Sequence, residues 1–168
     1  MSETNFTQDD MITLQNLLKK HKKTITTAES CTGGLVAHLI TNISGSSEIF
    51  DGGVVTYSNK IKNQELNVSN EILERYGAVS KEVVSQMLDG VIKKFTANYA
   101  IAISGIAGPS GGTKNKPVGT VVIGVCNDKN EKFIEIYNFQ GARKMVQVKA
   151  AQKSLEKILK FLQKSLDK

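Results

Sequence analysis

Tryptophan is absent from this chain, and cysteine, proline, histidine and arginine each occur only twice in 168 residues. The two cysteines, Cys31 and Cys126, are too few for a disulfide framework and fit a reducing compartment. His21 and His38 are too sparse to build a His-rich metal site. No cluster of His, Cys and carboxylates shows ligand spacing, so neither a metal nor a cofactor is expected. No apolar run approaches the ~18–20 residues of a membrane span. The acidic, polar start "MSETNFTQDD" lacks the features of a secretory signal, and a cytoplasmic protein is expected.

What is there is ordinary in bulk: 40% hydrophobic and 23% charged residues, the balance of a globular domain rather than a disordered chain. The net charge of +6 raises the question of nucleic acid. Its lysines, however, are spread over helix faces, as in "KAAQKSLEKILKFLQKSLDK". Arginine forks and aromatic platforms, the usual base-reading groups, are scarce. A solvated basic surface is the better account, and neither nucleic acid nor membrane is expected as a partner.

Periodicity predicts a helix over 8–22, opened by Thr7 with Asp10 three residues later. A strand follows at 24–28, a helix at 31–43 and a turn at "SGSS". The next strand is predicted over 50–58, with Gly52 and Gly53 marking a bulge or close approach. Two short helical pieces fill 59–76, and Ser80 opens an amphipathic helix to residue 95. "YAIAISG" (99–105) reads as a buried strand. After a Gly/Pro-rich loop at 106–117, "VGTVVIGVCN" and "KFIEIYNF" form a hairpin around "DKNE". A helix over 142–166 closes the chain. The expected order is α-β-α-β-α-α-β-β-β-α, a single three-layer α/β/α domain over 1–168 with a mixed, mostly parallel sheet.

The stretch "TITTAESCTGG" (24–34) runs a β-branched strand into hydroxyls and glycines before a helix. Ser30 is a candidate nucleophile there. Backbone N–H groups of Cys31, Thr32, Gly33 and Gly34 could receive an oxyanion, and a simple helix cap is the plainer alternative. Cys31 is a rival nucleophile, since a thiol at a helix N-terminus can have a lowered pKa. Neither has a usable histidine. His38 lies about 10 Å along the helix from Cys31, and His21 sits near the polar end of the first helix. The base must then be Lys, Tyr, Asp or Glu. "VVTYSNKIK" (54–62) supplies Tyr57, Lys60 and Lys62, and a lysine whose pKa falls on burial can deprotonate a serine. They could equally be strand-end polar groups on a basic surface.

"SGIAGPSGGTKNKPVG" (104–119) follows a buried strand, where open α/β sheets hold ligands. It is not a phosphate-binding P-loop, because Gly112-Thr113-Lys114 leads into a strand and not a helix, and it contains no G-x-G-x-x-G.

Taken in order, "TAESCTGG", "GGVVTYSN" with Lys62, "YGAVS" and "SGIAGPSGGTKNKPVGTV" resemble the C-terminal domain family of the competence/damage-inducible protein CinA. The resemblance spans about residues 8–165, and stand-alone members are similar to nicotinamide-nucleotide amidases. It implies hydrolysis of nicotinamide mononucleotide to nicotinate mononucleotide and ammonia, in pyridine-nucleotide salvage. It further implies Ser30 as nucleophile with Tyr57 and Lys62 as partners, Lys62 being preferred to Lys60 by the pattern Tyr-Ser-Asn-x-x-Lys. Substrate contacts are expected from Glu29, Asn59, Ser104, Gly105, Ile106, Ala107, Gly108 and Arg143. The implied partners are a pyridine nucleotide and further copies of the chain in a homo-oligomer, a dimer being one form. Two departures stand out: Ala142 replaces Asp in the family's Gly-Asp-Arg, and Gln147 replaces a second Arg. A catalytically silent nucleotide-binding module and a competence- or DNA-damage-associated factor are the alternatives.

Overall fold

The computed structural model describes residues 5–166. Helix α1 (Gln8–Lys20) opens on a capping box: the Thr7 hydroxyl accepts the Asp10 amide while the Asp10 carboxylate accepts the Thr7 amide. Strand β1 (Ile25–Glu29) and helix α2 (Leu35–Thr41) follow, then a short 3-10 turn and strand β2 (Gly53–Val55). Helices α3 (Asn59–Leu66), α4 (Asn70–Tyr76) and α5 (Lys81–Phe95) lead to strand β3 (Tyr99–Gly105). The hairpin β4 (Thr120–Asn127) and β5 (Lys132–Asn138) precedes helix α6 (Arg143–Leu166). The elements follow the segments read from the sequence, but three helices, α3, α4 and α5, separate β2 from β3 where the expected order has two.

The five strands form one sheet in the order β2-β1-β3-β4-β5. β1 is parallel to both β2 and β3, whereas β3–β4 and β4–β5 are antiparallel. The sheet is therefore mixed as expected, with β1, β2, β3 and β5 running one way and β4 the other. β4 follows β3 through a loop with no crossover helix, and such a connection reverses the strand direction.

Strand alternation sorts the core onto two faces. Tyr99, Ile101 and Ile103 of β3 and Val121, Ile123 and Val125 of β4 pack under α1, α2 and α6. Ala100 and Ala102, with Ala28, Val122 and Cys126, meet α3, α4 and α5. This second face is built of small residues, so α5 approaches closely. A Cβ on Gly124 would lie 2.7 Å from Val84 and 2.9 Å from Leu88. Likewise, a Cβ on Gly90 of α5 would lie 2.2 Å from the Leu66 carbonyl oxygen, which brings the end of α3 against α5.

Two expected boundaries move for local reasons. The second helix starts at Leu35 and not at 31, because Gly33 (φ +60°) and Gly34 (φ +102°) adopt left-handed backbone. β2 covers only three of residues 50–58, since Thr56 turns away toward the Ser58 cap of α3.

The C-terminal ends of β1, β2 and β3 all open on the same edge of the sheet. β1 is the first strand laid down, with β2 on one side and β3 on the other. The helices that follow β1 and β2 lie on opposite faces, so the end of β1 is the switch point where ligands bind in open α/β sheets.

Candidate active site

Ser30 is the residue at that switch point. Its amide donates to Ile103 O at 3.0 Å, and the neighbouring Glu29 carbonyl accepts the Thr56 amide at 2.8 Å. The Ser30 backbone is thereby held between the ends of β3 and β2. Its side chain meets Lys62 of α3, whose Nζ lies 3.0 Å from Ser30 Oγ, 2.7 Å from Thr56 O and 3.4 Å from Tyr57 O. Lys62 is 1% exposed, whereas Lys60 is fully on the surface side of the helix.

Burial removes water from the ammonium and draws the Lys62 pKa from 10.5 down to about 8, with Cys31 opposing slightly. Cys31 behaves in the opposite sense. Buried and away from the helix start, its thiol is pushed up to about 12. At neutral pH Cys31 is a protonated thiol, whereas the Lys62 amine in contact with Ser30 loses its proton as pH rises through about 8.

Residues 31–34 form a tight turn ahead of α2. The Gly33 amide donates back to Ser30 O at 3.0 Å, so it is committed within the turn. The Thr32 and Gly34 amides have no hydrogen-bond partner among the described residues. A cleft of about 390 Å³ opens beside this turn, lined by Thr32, Gly33, Gly34, His38, Lys144 and Gln147 among others.

Tyr57 contributes its carbonyl to Lys62, while its hydroxyl points elsewhere and accepts Arg143 Nη2–H at 2.9 Å. A relay of the Ser30 proton through Tyr57 is not what this geometry offers, since Lys62 touches Ser30 directly. Arg143 Nη1 also donates to Gly108 O at 2.8 Å, tying the loop after β3 to α6. Ser104 and Gly105 end β3 beside the Ser30 anchor Ile103, and Ile106 and Ala107 run on from them toward Gly108. Asn59 is exposed in the first turn of α3. Glu29 departs from its expected role. Its carboxylate is 1% exposed and bonded within the protein to Thr32, Val36 and Ala37, so it does not face a ligand.

Three contributors escape a reading of residue types. Thr56 acts through its carbonyl, which has no side-chain signature. Gln147 Nε2 donates to Cys31 O at 2.9 Å, and its spacing of four from Arg143 does place both on one helix face. Lys116 Nζ donates to Tyr76 O at 2.6 Å and fastens the far side of the 106–119 loop to the end of α4.

A family model described as the CinA C-terminal domain matches residues 9–162. The chain is 48% identical to a CinA-like protein of Thermotoga maritima over 146 residues, which is 87% of this chain and 35% of that protein. A CinA-like protein of Cytophaga hutchinsonii is 53% identical over 69% of this chain and 28% of its own length. The chain thus spans about a third of the length of the curated relatives it matches. Among solved structures, the competence/damage inducible protein CihA from Agrobacterium tumefaciens superposes with a TM-score of 0.88. It is 34% identical, covering 90% of this chain and 92% of that one. A CinA superfamily protein from Escherichia coli gives 0.87 at 31% identity, with 95% of each chain covered. The family match and the full-length structural likeness agree with the motifs that surround Ser30 and Lys62, and the chain belongs to the CinA C-terminal domain family.

Proposed function

We propose that the chain is an amidohydrolase acting on nicotinamide mononucleotide, with Ser30 as nucleophile and Lys62 as its base. One observation carries the reading: a buried lysine of lowered pKa touches Ser30 Oγ while two carbonyls absorb its N–H groups. In the neutral amine, two N–H bonds go to Thr56 O and Tyr57 O, and the lone pair is left for the Ser30 proton. Ser30 Oγ then attacks the carboxamide carbon, and the developing oxyanion takes hydrogen bonds from the Thr32 and Gly34 amides. The Lys62 ammonium returns the proton to the departing nitrogen, and ammonia leaves. Neutral Lys62 next takes a proton from water, whose oxygen adds to the acyl carbon. Collapse releases the carboxylate product and reprotonates Ser30.

The pyridine ring fits along the 104–108 stretch in this reading. Arg143 spends two of its five N–H groups on Gly108 and Tyr57, and the rest, with Lys144, are available to a phosphate. The purified protein is assayed for ammonia release from nicotinamide mononucleotide, free nicotinamide and the dinucleotide. Turnover is expected on the mononucleotide and lost in Ser30→Ala. Ammonia from none of the three overturns the reading. Mononucleotide binding without ammonia would make the chain a catalytically silent nucleotide-binding module, a reading favoured by Gln147 standing where the family pattern implies a second Arg. Loss of activity in Cys31→Ala with an active Ser30→Ala would overturn the choice of nucleophile.

A further inference from the structure

Helix α2 starts without a cap of its own. Gly34 occupies the N-cap position and has no side chain to offer, which would leave the first-turn amides unpartnered. Their partner comes from the strand before. Glu29 Oε1 accepts the Val36 amide at 2.8 Å and Oε2 accepts the Ala37 amide at 3.1 Å. The Thr32 hydroxyl donates to Oε1 at 2.7 Å.

These three bonds bracket residues 30–34. Glu29 is joined covalently to Ser30 on one side, to Thr32 inside the turn, and to α2 beyond it. The turn so enclosed carries Ser30 and the Thr32 and Gly34 amides, and its Gly33 and Gly34 both adopt left-handed backbone. None of the ion pairs among the described residues uses Glu29, and the hydrogen bonds to its carboxyl oxygens come from Thr32, Val36 and Ala37.

We propose that Glu29 is a positioning residue: it fixes the 30–34 turn so that the Thr32 and Gly34 N–H groups face the oxygen that gains charge during attack. This rests on the serine–lysine hydrolase reading above. A glutamine at 29 keeps an acceptor for Val36 and Thr32 but sets an NH₂ group against the Ala37 amide. The turn is then loosened without emptying the space.

The test uses Glu29→Gln and Thr32→Val in the full chain, with melting curves to count folded protein. One readout is ammonia release from nicotinamide mononucleotide, resolved into kcat and KM across about pH 6 to 10. The other is modification of Ser30 by a small fluorophosphonate, followed by intact mass. There Ser30 Oγ bonds to phosphorus, fluoride leaves, the serine proton passes to Lys62, and the phosphoryl oxygen needs the same donors.

Expected is a fall of about tenfold to a hundredfold in kcat and in labelling per folded Glu29→Gln molecule. That is less than the ~100- to 1,000-fold loss of an oxyanion donor itself. KM should move little, and the titration near 8 should stay, because Glu29 is not among the groups that shift Lys62. Thr32→Val should move in the same direction by less. Wild-type rates in both folded variants overturn the proposal, as does a loss that merely reflects a displaced midpoint. If Glu29→Gln does not fold, Thr32→Val decides alone. Wild-type protein that labels at Ser30 but releases no ammonia overturns the amidase reading, and the labelling arm still tests Glu29.

Discussion

Lys62 sits among oxygens that carry no full charge: a serine hydroxyl and two peptide carbonyls. With no carboxylate in that set to hold the proton, burial decides the titration, and it favours the neutral amine. The sign follows directly. With Lys62 as the proposed base the active form is the deprotonated one, so kcat/KM should climb about tenfold per pH unit below 8 and level off above it. Steady-state rates across the pH range check this, and a profile flat from pH 6 to 9 would contradict a lysine base. Lys62→Met should remove turnover, whereas Lys60→Ala, on the outer side of α3, should leave it within about twofold. The difference between these two lysines is invisible in composition. It comes from which face of α3 is turned toward β1, and the family pattern supplied it before geometry did.

At the scale of elements, α3 holds Lys62 in place only because α5 lets it come close. Gly90→Ala would put a methyl 2.2 Å from a backbone oxygen of Leu66, and backbone cannot swing aside as a flexible side chain can. Overpacking of this kind costs about 1–3 kcal/mol, and here it also pushes on the helix that carries the base. Gly90→Ala should therefore lower the denaturant midpoint and reduce kcat in the protein that remains folded. Wild-type kcat alongside lowered stability would show that α3 absorbs the push without moving Lys62. Helix α6 acts on the other side. Arg143→Ala frees both the Gly108 carbonyl and the Tyr57 hydroxyl, and should impair the mononucleotide more than free nicotinamide. Tyr57→Phe removes one of those bonds and should cost less; equal losses on both substrates would place Arg143 outside phosphate recognition.

Most elements were readable because their signals are local. The Thr7–Asp10 cap, the Ser80 cap and the apolar run of β3 all fall where hydrogen bonding and burial put them. What sequence could not give were the outcomes of tertiary choice. The sequence places 31–34 in a helix because Gly33 and Gly34 do not announce a positive φ, and the partners of Glu29 lie three to eight residues onward, where no local pattern marks them.

For the whole molecule, the +6 charge is distributed rather than focused. Lys19, Lys94, Lys132, Lys153, Lys157 and Lys160 all pair with carboxylates, Lys153 and Lys160 sharing Glu156 on α6. Such exposed pairs add little stability, but they break up any continuous positive track for a phosphate backbone. The protein should show no retention of duplex DNA in a gel-shift assay at physiological salt. A retained complex that dissolves steeply with added salt would reopen the nucleic-acid reading.

The first turn of α6 gives the molecule an order in time. Ser30 and Lys62 leave the ribosome early, but Arg143 and Gln147, which tie down the loop after β3 and the Cys31 carbonyl, are made after every strand. The same helix then supplies Val146, Ala150, Leu155, Ile158 and Leu162 to one face of the core. Synthesis therefore delivers the proposed nucleophile and base before the helix that closes over them. An unfinished chain carries Ser30 and Lys62 without Arg143 and Gln147, and neither the site nor that face of the core is complete until α6 is made.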